Sequence, residues 1–176
     1  MQAKTSELIE ALLGTLFFLI VVVPIFMIYI PRTILLSPYR IYEFDIGKIR
    51  FLGLFPILLG SAIYVTCSGF FLFIGRSSPI PFTQTKRLIV KGFYRHVRNP
   101  LYIAGVLVLA GESLLFQSTG IFIYCLGMFG IFYFHALMEE TFLANEFGAE
   151  YDRYRNSVPR WIPRLTPYQD KDPESF

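Results

Sequence analysis

The chain has 176 residues, of which 54% are hydrophobic and 18% aromatic, and its mean hydropathy is +0.51. This composition leaves too little polar surface to cover a soluble globule, so it excludes that class and predicts an integral membrane protein. The formal net charge is only +3, and Cys67 and Cys125 both fall in apolar stretches. Neither feature indicates a nucleic acid partner, a disulfide framework or a metal site.

Four transmembrane helices are predicted in chain order. Windows 11–31 and 51–75 lack charged residues and histidine over 21 and 25 residues, and each exceeds the ~20 residues that span a bilayer. A later apolar stretch is divided by "QSTG", Gln117–Gly120, which is typical of a turn. The sequence therefore predicts one domain, 1–176, an all-α, polytopic membrane helix bundle with helices at about 8–31, 51–74, 100–117 and 119–138 and a tail over 139–176.

Lysines and arginines predict the orientation of these helices. Four spans would place twelve of the basic residues on one side of the membrane and four on the other. Because basic residues are enriched in cytoplasmic loops, both termini and the loop Arg76–Arg98 are predicted to be cytoplasmic.

The third helix follows a basic stretch, "YRHVRNPLYIAG", Tyr94–Gly105. Asn99 is a preferred N-cap, and Pro100 suits the first helical position because its missing N–H would be unpaired there. Arg95 and Arg98 lie just upstream of these exposed N–H groups. Together they predict a site for a ligand carboxylate or phosphate. The alternative is that the basic side chains only reach lipid headgroups.

The fourth helix carries ionisable residues at its end, in "FHALMEETFLANEF". His135, Glu139, Phe142 and Glu146 are spaced i, i+4, i+7 and i+11, so a continuing helix places them on one face. Glu140 points about 100° away. Ionisable groups at the membrane predict a functional site. The alternative is a His-Glu pair that only stabilises the helix end.

The stretch "GFYRHVRNPLY", with "SPIPF" upstream and "EETFLANEFGAEYDRYRNSVPRWIP" downstream, resembles the isoprenylcysteine carboxyl methyltransferase and phospholipid methyltransferase superfamily. The resemblance covers about Ser78–Arg164. It implies an integral-membrane enzyme that uses S-adenosyl-L-methionine, releases S-adenosyl-L-homocysteine and methylates a lipophilic acceptor from the bilayer. It also implies that the cytoplasmic loop and the helical tail form the cofactor pocket.

The resemblance also assigns roles to residues. His135 and Glu139 would be catalytic, and His135 would bind the acceptor, since it stands where the prenylcysteine enzymes have an arginine. Two further departures are Asn99 within the family's Arg-His-Pro and Ala104 in place of a glycine. The implied cofactor-binding residues are Lys86, Arg87, Leu88, Ile89, Tyr94, Arg98, Asn99, Pro100, Leu101, Tyr102, Glu139 and Glu140.

The residue types suit this chemistry. Aromatic faces and a carboxylate attract a sulfonium cation, and the helix start at Asn99 suits the cofactor's own carboxylate. The acceptor stays open among a prenylcysteine carboxylate, a phospholipid amine and an isoprenoid hydroxyl.

The tail segment Val158–Arg164 contains Trp161 and two prolines. It is interpreted either as a lid over the cytoplasmic mouth or as a membrane-surface anchor. The alternative functions are an NADPH-dependent sterol-type reductase and a non-catalytic membrane protein that retains the fold.

Overall fold

The computed structural model describes residues 2–38, 43–75 and 88–169. These residues form helices without an extended strand, so the predicted all-α class is confirmed. The α-helices are α1 (Gln2–Phe17), α2 (Ile30–Leu36), α3 (Leu54–Phe70), α4 (Pro100–Leu115), α5 (Thr119–Phe147) and α6 (Ala149–Ser157). Short π turns lie at Phe18–Val22, Ile25–Tyr29 and Phe71–Gly75, and 3-10 turns lie at Gly47–Gly53 and Gly92–Arg95.

Within the described residues, three helical segments are long and apolar enough to cross a membrane: Ile9–Leu36, Gly47–Ile74 and Thr119–Phe147. The fourth predicted span, α4, is apolar but has 16 residues, or about 24 Å of helix. That is shorter than the ~30 Å hydrocarbon core. The chain is an integral membrane protein, and a fourth crossing stays a prediction.

The first helical segment is less regular than the sequence predicted. Its α-helix ends at Phe17, and π turns follow on either side of Pro24. Proline has no N–H to donate to the helix and crowds the preceding turn. The π turns are the local adjustment that keeps the segment helical through this position.

The predicted turn between α4 and α5 is present. Gln117 has a φ of 53°, and its side-chain Oε1 accepts a hydrogen bond from the Ile46 N–H at 2.7 Å. Ser118 Oγ accepts one from the Ile121 N–H at 3.3 Å, which satisfies a free donor in the first turn of α5.

The chain forms two compact units. The first contains, among the described residues, 2–18, 66–75, 88–100 and 134–169, and the second contains 19–65 and 101–133.

In the second unit, α3 and α4 approach closely. A Cβ on Gly111 would lie 2.5 Å from the Gly53 carbonyl oxygen, and one on Gly60 would lie 2.6 Å from that of Ala104. Close packing of this kind through small residues is common between membrane helices. Gly60 therefore lies against the backbone of Ala104, the position at which the sequence departs from the family's glycine. The buried core of this unit contains Met27, Val108, Leu109, Cys125 and Met128.

In the first unit, α6 returns against the segment that precedes α4. Gly148 separates α5 from α6 with φ 51° and ψ −125°, a conformation that is essentially restricted to glycine. The turn brings Tyr151 and Tyr154 of α6 into a buried cluster with Leu88 and Val158. Residues of this buried cluster also line the candidate site.

Candidate functional site

A cavity of about 50 Å³ lies within the first unit. Its walls come from the π turn after α3, the segment before α4, the C-terminal part of α5 and α6. The lining residues are Phe71, Leu88, Ile89, Tyr94, Arg98, Asn99, Glu139, Glu140, Leu143, Tyr151 and Tyr154.

One wall of the cavity is aromatic. The rings of Phe71 and Tyr94 meet edge to face, with centroids 6.2 Å apart. Upstream, Gly92 has a φ of 55°, and a Cβ there would collide with the Phe70 ring. Gly92 is therefore required both for the turn and for the close packing that places Tyr94 at the cavity.

Glu140 lies at the centre of a buried ion cluster. Arg160 donates two hydrogen bonds to it, from Nε to Oε1 at 2.7 Å and from Nη2 to Oε2 at 2.8 Å. Arg98 Nη1 lies 2.9 Å from Oε1, and the Arg98 and Glu140 side chains are only 11% and 10% exposed. A buried carboxylate needs such partners. The predicted contact of Glu140 with a cofactor stays a prediction, because two arginines already bind its carboxylate.

Glu139 also lines the cavity and is half-buried. One position along an α-helix corresponds to about 100°, so Glu139 and the neighbouring Glu140 point in different directions. The adjacent carboxylates therefore have distinct surroundings, and Glu140 is the one that accepts the hydrogen bonds of Arg160 and the ion pair with Arg98 described above.

Residues Val158–Tyr168, which we call the strap, cross the segment that precedes α4. Arg98 N–H donates to the Pro159 carbonyl at 2.9 Å, and the Asn99 side chain donates to the Arg160 carbonyl at 3.2 Å. The remaining hydrogen bonds are Arg164 N–H to His96 O and Tyr168 N–H to Arg95 O, both 2.9 Å, Arg95 Nε to Tyr168 O at 2.6 Å, and His96 Nδ1 with Arg164 O at 2.8 Å.

The strap also presents apolar side chains outward. Ile162 is 80% exposed and Leu165 is 97% exposed. The strap therefore combines features of both interpretations, since its backbone holds the segment before α4 while its outer side chains suit a membrane surface.

α6 adds a buried contact beneath the cavity. The Tyr154 hydroxyl donates to the Tyr94 carbonyl at 2.7 Å, and burial raises the pKa of Tyr154. Burial also raises the pKa of Tyr151, with a further increase from Glu140 and a partial offset from a hydrogen bond to Arg98. Both phenols therefore stay neutral and act as hydrogen-bonding groups of the wall.

His135 lies one helical turn before Glu139 on α5, within the first unit. Its side chain is half-buried and its Nε2 atom is buried. His135 is not among the residues that line the cavity, so its contact with an acceptor stays a prediction.

The predicted cofactor-binding residues fall into four groups. Those that line the cavity are Leu88, Ile89, Tyr94, Arg98, Asn99, Glu139 and Glu140. Pro100 is buried at the first position of α4. Leu101 and Tyr102 belong to the second unit, where the Tyr102 ring stacks on the Phe132 ring with centroids 5.2 Å apart. Lys86 and Arg87 lie outside the described residues.

Several residues of the site were not predicted from the sequence, namely Phe71, Leu143, Tyr151, Tyr154 and Arg160. A signal existed for the tyrosines, since Tyr151, Tyr154 and Val158 share a helical spacing. No local pattern indicated Arg160, because its partner lies 20 residues earlier.

These features define an all-α integral-membrane helix bundle with a charged, aromatic cavity. The chain belongs to the phospholipid methyltransferase family, whose sequence profile matches residues 49–150. This confirms the resemblance found in the sequence.

The chain is also 35% identical over 81 residues to the protein-S-isoprenylcysteine O-methyltransferase of Schizosaccharomyces pombe. That match covers 44% of this chain and 34% of the relative, so it spans about a third of the yeast protein's length. No solved structure matches the chain.

Proposed function

We propose that this chain transfers a methyl group from S-adenosyl-L-methionine to a lipophilic acceptor that reaches the site from the bilayer. The observation that carries the proposal is the cavity of the first unit, where Glu139, Arg98 and an aromatic wall meet. The family, and the relative named for methylation of an isoprenylated cysteine, support the reaction class.

The residues present fit this cofactor. S-adenosyl-L-methionine carries a sulfonium, an ammonium and a carboxylate, and the cavity offers groups complementary to each. Glu139 suits the cationic groups, Tyr94 and Phe71 offer aromatic faces, and Arg98 and Asn99 suit the carboxylate. The cavity volume of about 50 Å³ is small beside the ~300–1,000 Å³ of small-molecule sites. Binding therefore requires a wall of the cavity to move.

When bound, the cofactor would supply an electrophilic methyl group. The protein's part is to align the reactants and to exclude water, and no covalent nucleophile is required. Glu139 and Arg98 would fix the two charged ends of the amino-acid group, while the apolar side chains of Leu88 and Leu143 exclude water. His135 would meet the acceptor, either as a base towards an amine or hydroxyl or as a cation towards a carboxylate.

The direct test is methyl transfer by the full chain, purified in detergent and reconstituted in vesicles. Radiolabelled S-adenosyl-L-methionine is supplied with a farnesylated cysteine, a phosphatidylethanolamine or an isoprenoid alcohol in separate reactions. Label in one of these products identifies the acceptor. A folded chain that labels none of them, and that NADPH rather than S-adenosyl-L-homocysteine stabilises against heat, would refute the proposal.

His135→Ala separates acceptor binding from cofactor binding. The variant should bind S-adenosyl-L-homocysteine like the parent chain and transfer methyl groups more slowly. Normal turnover with the identified acceptor would remove His135 from the site.

The orientation inferred from the basic residues is part of the same proposal. With both termini and the loop before α4 on the cytoplasmic side, the cavity would face the compartment that contains the soluble cofactor, while the acceptor stays in the membrane.

A further inference from the structure

Two arginines share the single carboxylate of Glu140, and they share it unequally. Arg160 donates to both carboxylate oxygens, at 2.7 and 2.8 Å. Arg98 approaches only Oε1, through Nη1 at 2.9 Å. The cluster has two cations for one anion, so it carries a surplus positive charge.

Arg98 retains one unused donor, its Nε–H, although its side chain also forms a hydrogen bond with Tyr151. Its side chain is 11% exposed and lines the cavity. Its Nε atom is buried and has no hydrogen-bond partner among residues 2–38, 43–75 and 88–169. An unpaired buried donor is costly. A charged guanidinium N–H is a strong donor to a carboxylate, so this Nε–H suits a carboxylate in the cavity.

The strap determines how Arg98 is shared. Arg160 belongs to the strap, which is held by Arg98 N–H donating to Pro159 O and by Asn99 donating to Arg160 O. If Arg160 were absent, Glu140 would keep one cation, Arg98, for a buried carboxylate. Because a buried carboxylate without sufficient partners is strongly unfavourable, Arg98 would turn both of its N–H groups towards Glu140.

We propose that Arg160 is a positioning residue, which saturates Glu140 and thereby leaves the Nε–H of Arg98 available to a ligand carboxylate. This inference rests on the proposed function, in which that carboxylate belongs to S-adenosyl-L-methionine. Arg160 itself does not touch the ligand, and its effect passes through Glu140 to Arg98.

A double-mutant cycle separates this role from simple anchoring of the strap. Arg160→Gln should weaken binding of S-adenosyl-L-homocysteine by about tenfold or more, because Arg98 turns to Glu140. Glu140→Gln added to the Arg160→Gln chain removes the competitor, so the double variant should recover most of the lost affinity and bind more tightly than Arg160→Gln alone. If Arg160 only anchored the strap, all three variants would lose affinity alike, because each breaks the same contact.

Titration calorimetry on the full chain in nanodiscs measures the four affinities, and the unfolding temperature of each variant reports its fold. Arg155→Gln is the matched control, since its ion pair with Asp152 is exposed. If Arg160→Gln does not fold, Arg160→Lys, which keeps the charge and loses the two-fold contact, replaces it in the cycle.

Each outcome has one meaning. Recovery in the double variant supports the inference, and no recovery overturns it. A folded parent chain that binds no S-adenosyl-L-homocysteine overturns the proposed function first, and the inference with it. Wild-type binding combined with equal losses in every variant overturns the inference alone.

Discussion

Replacement of Glu139 by glutamine tests the division of work between the two adjacent carboxylates. The change keeps the size of the side chain and removes its charge. A hydrogen bond to a charged group contributes about 1.5–3 kcal/mol, equivalent to about 12- to 160-fold in Kd. Glu139 is half-buried whereas Glu140 is buried. Because solvent screens a half-buried charge, we expect a loss of cofactor affinity near the lower end of this range, about tenfold.

The assay is calorimetric titration of the full chain with S-adenosyl-L-homocysteine, with the unfolding temperature as a check of the fold. Glu146→Gln is the matched control, since Glu146 lies on the same helix, is exposed and does not line the cavity. The control should bind like the parent chain. An unchanged Kd for Glu139→Gln in a folded protein would show that this carboxylate does not hold the cofactor.

Three further predictions concern the strap, the helix packing and the orientation. Truncation after Asn156 removes every strap hydrogen bond and should leave a folded chain without methyl transfer, so full activity would leave only the anchor interpretation. Gly111→Ala should lower the free energy of unfolding by about 1–3 kcal/mol, because the new Cβ overpacks the contact between α3 and α4. The control Gly127→Ala, with nothing within 4 Å of the new Cβ, should leave that free energy unchanged. Equal unfolding curves for the two variants would contradict the close approach of α3 and α4. Reporter fusions after Lys48 and after Gln117 should report the outer side of the membrane, and a cytoplasmic signal from either would refute the four-span orientation.

The elements that the sequence predicted well are those with local causes. Apolar length predicts the long helices, and Pro100 predicts the first residue of α4. The turn at Gln117 follows from its flanking residue types, although its positive φ is stabilised by the distant N–H of Ile46.

The differences have physical causes that a local pattern does not contain. The fourth span was predicted to end near residue 138, where charged residues begin, with the helix continuing beyond it, but the end of α5 at Phe147 was not predicted. Polar residues mark the edge of the membrane without breaking a helix, and the break comes at Gly148, which adopts a conformation open only to glycine.

The candidate site shows the same limit. The paired glutamates and the basic stretch marked its position, so most of the cavity wall was predicted. Which glutamate is held by arginine depends on the register of α5 against the strap, and Arg160 reaches Glu140 only after α6 has turned the chain back. That register is a property of tertiary packing.

The strap also sets the order in which the site is completed during synthesis. Glu140 and Arg160 lie 20 positions apart, so at ~5–20 residues per second the ribosome makes the second about 1–4 s after the first. During that interval the nascent chain contains Arg98 and Glu140 but no Arg160, so the two-arginine cluster cannot yet form. The charge pattern of the cavity therefore depends on a residue that is synthesised only after α5, which contains Glu140, and α6, which turns the chain back.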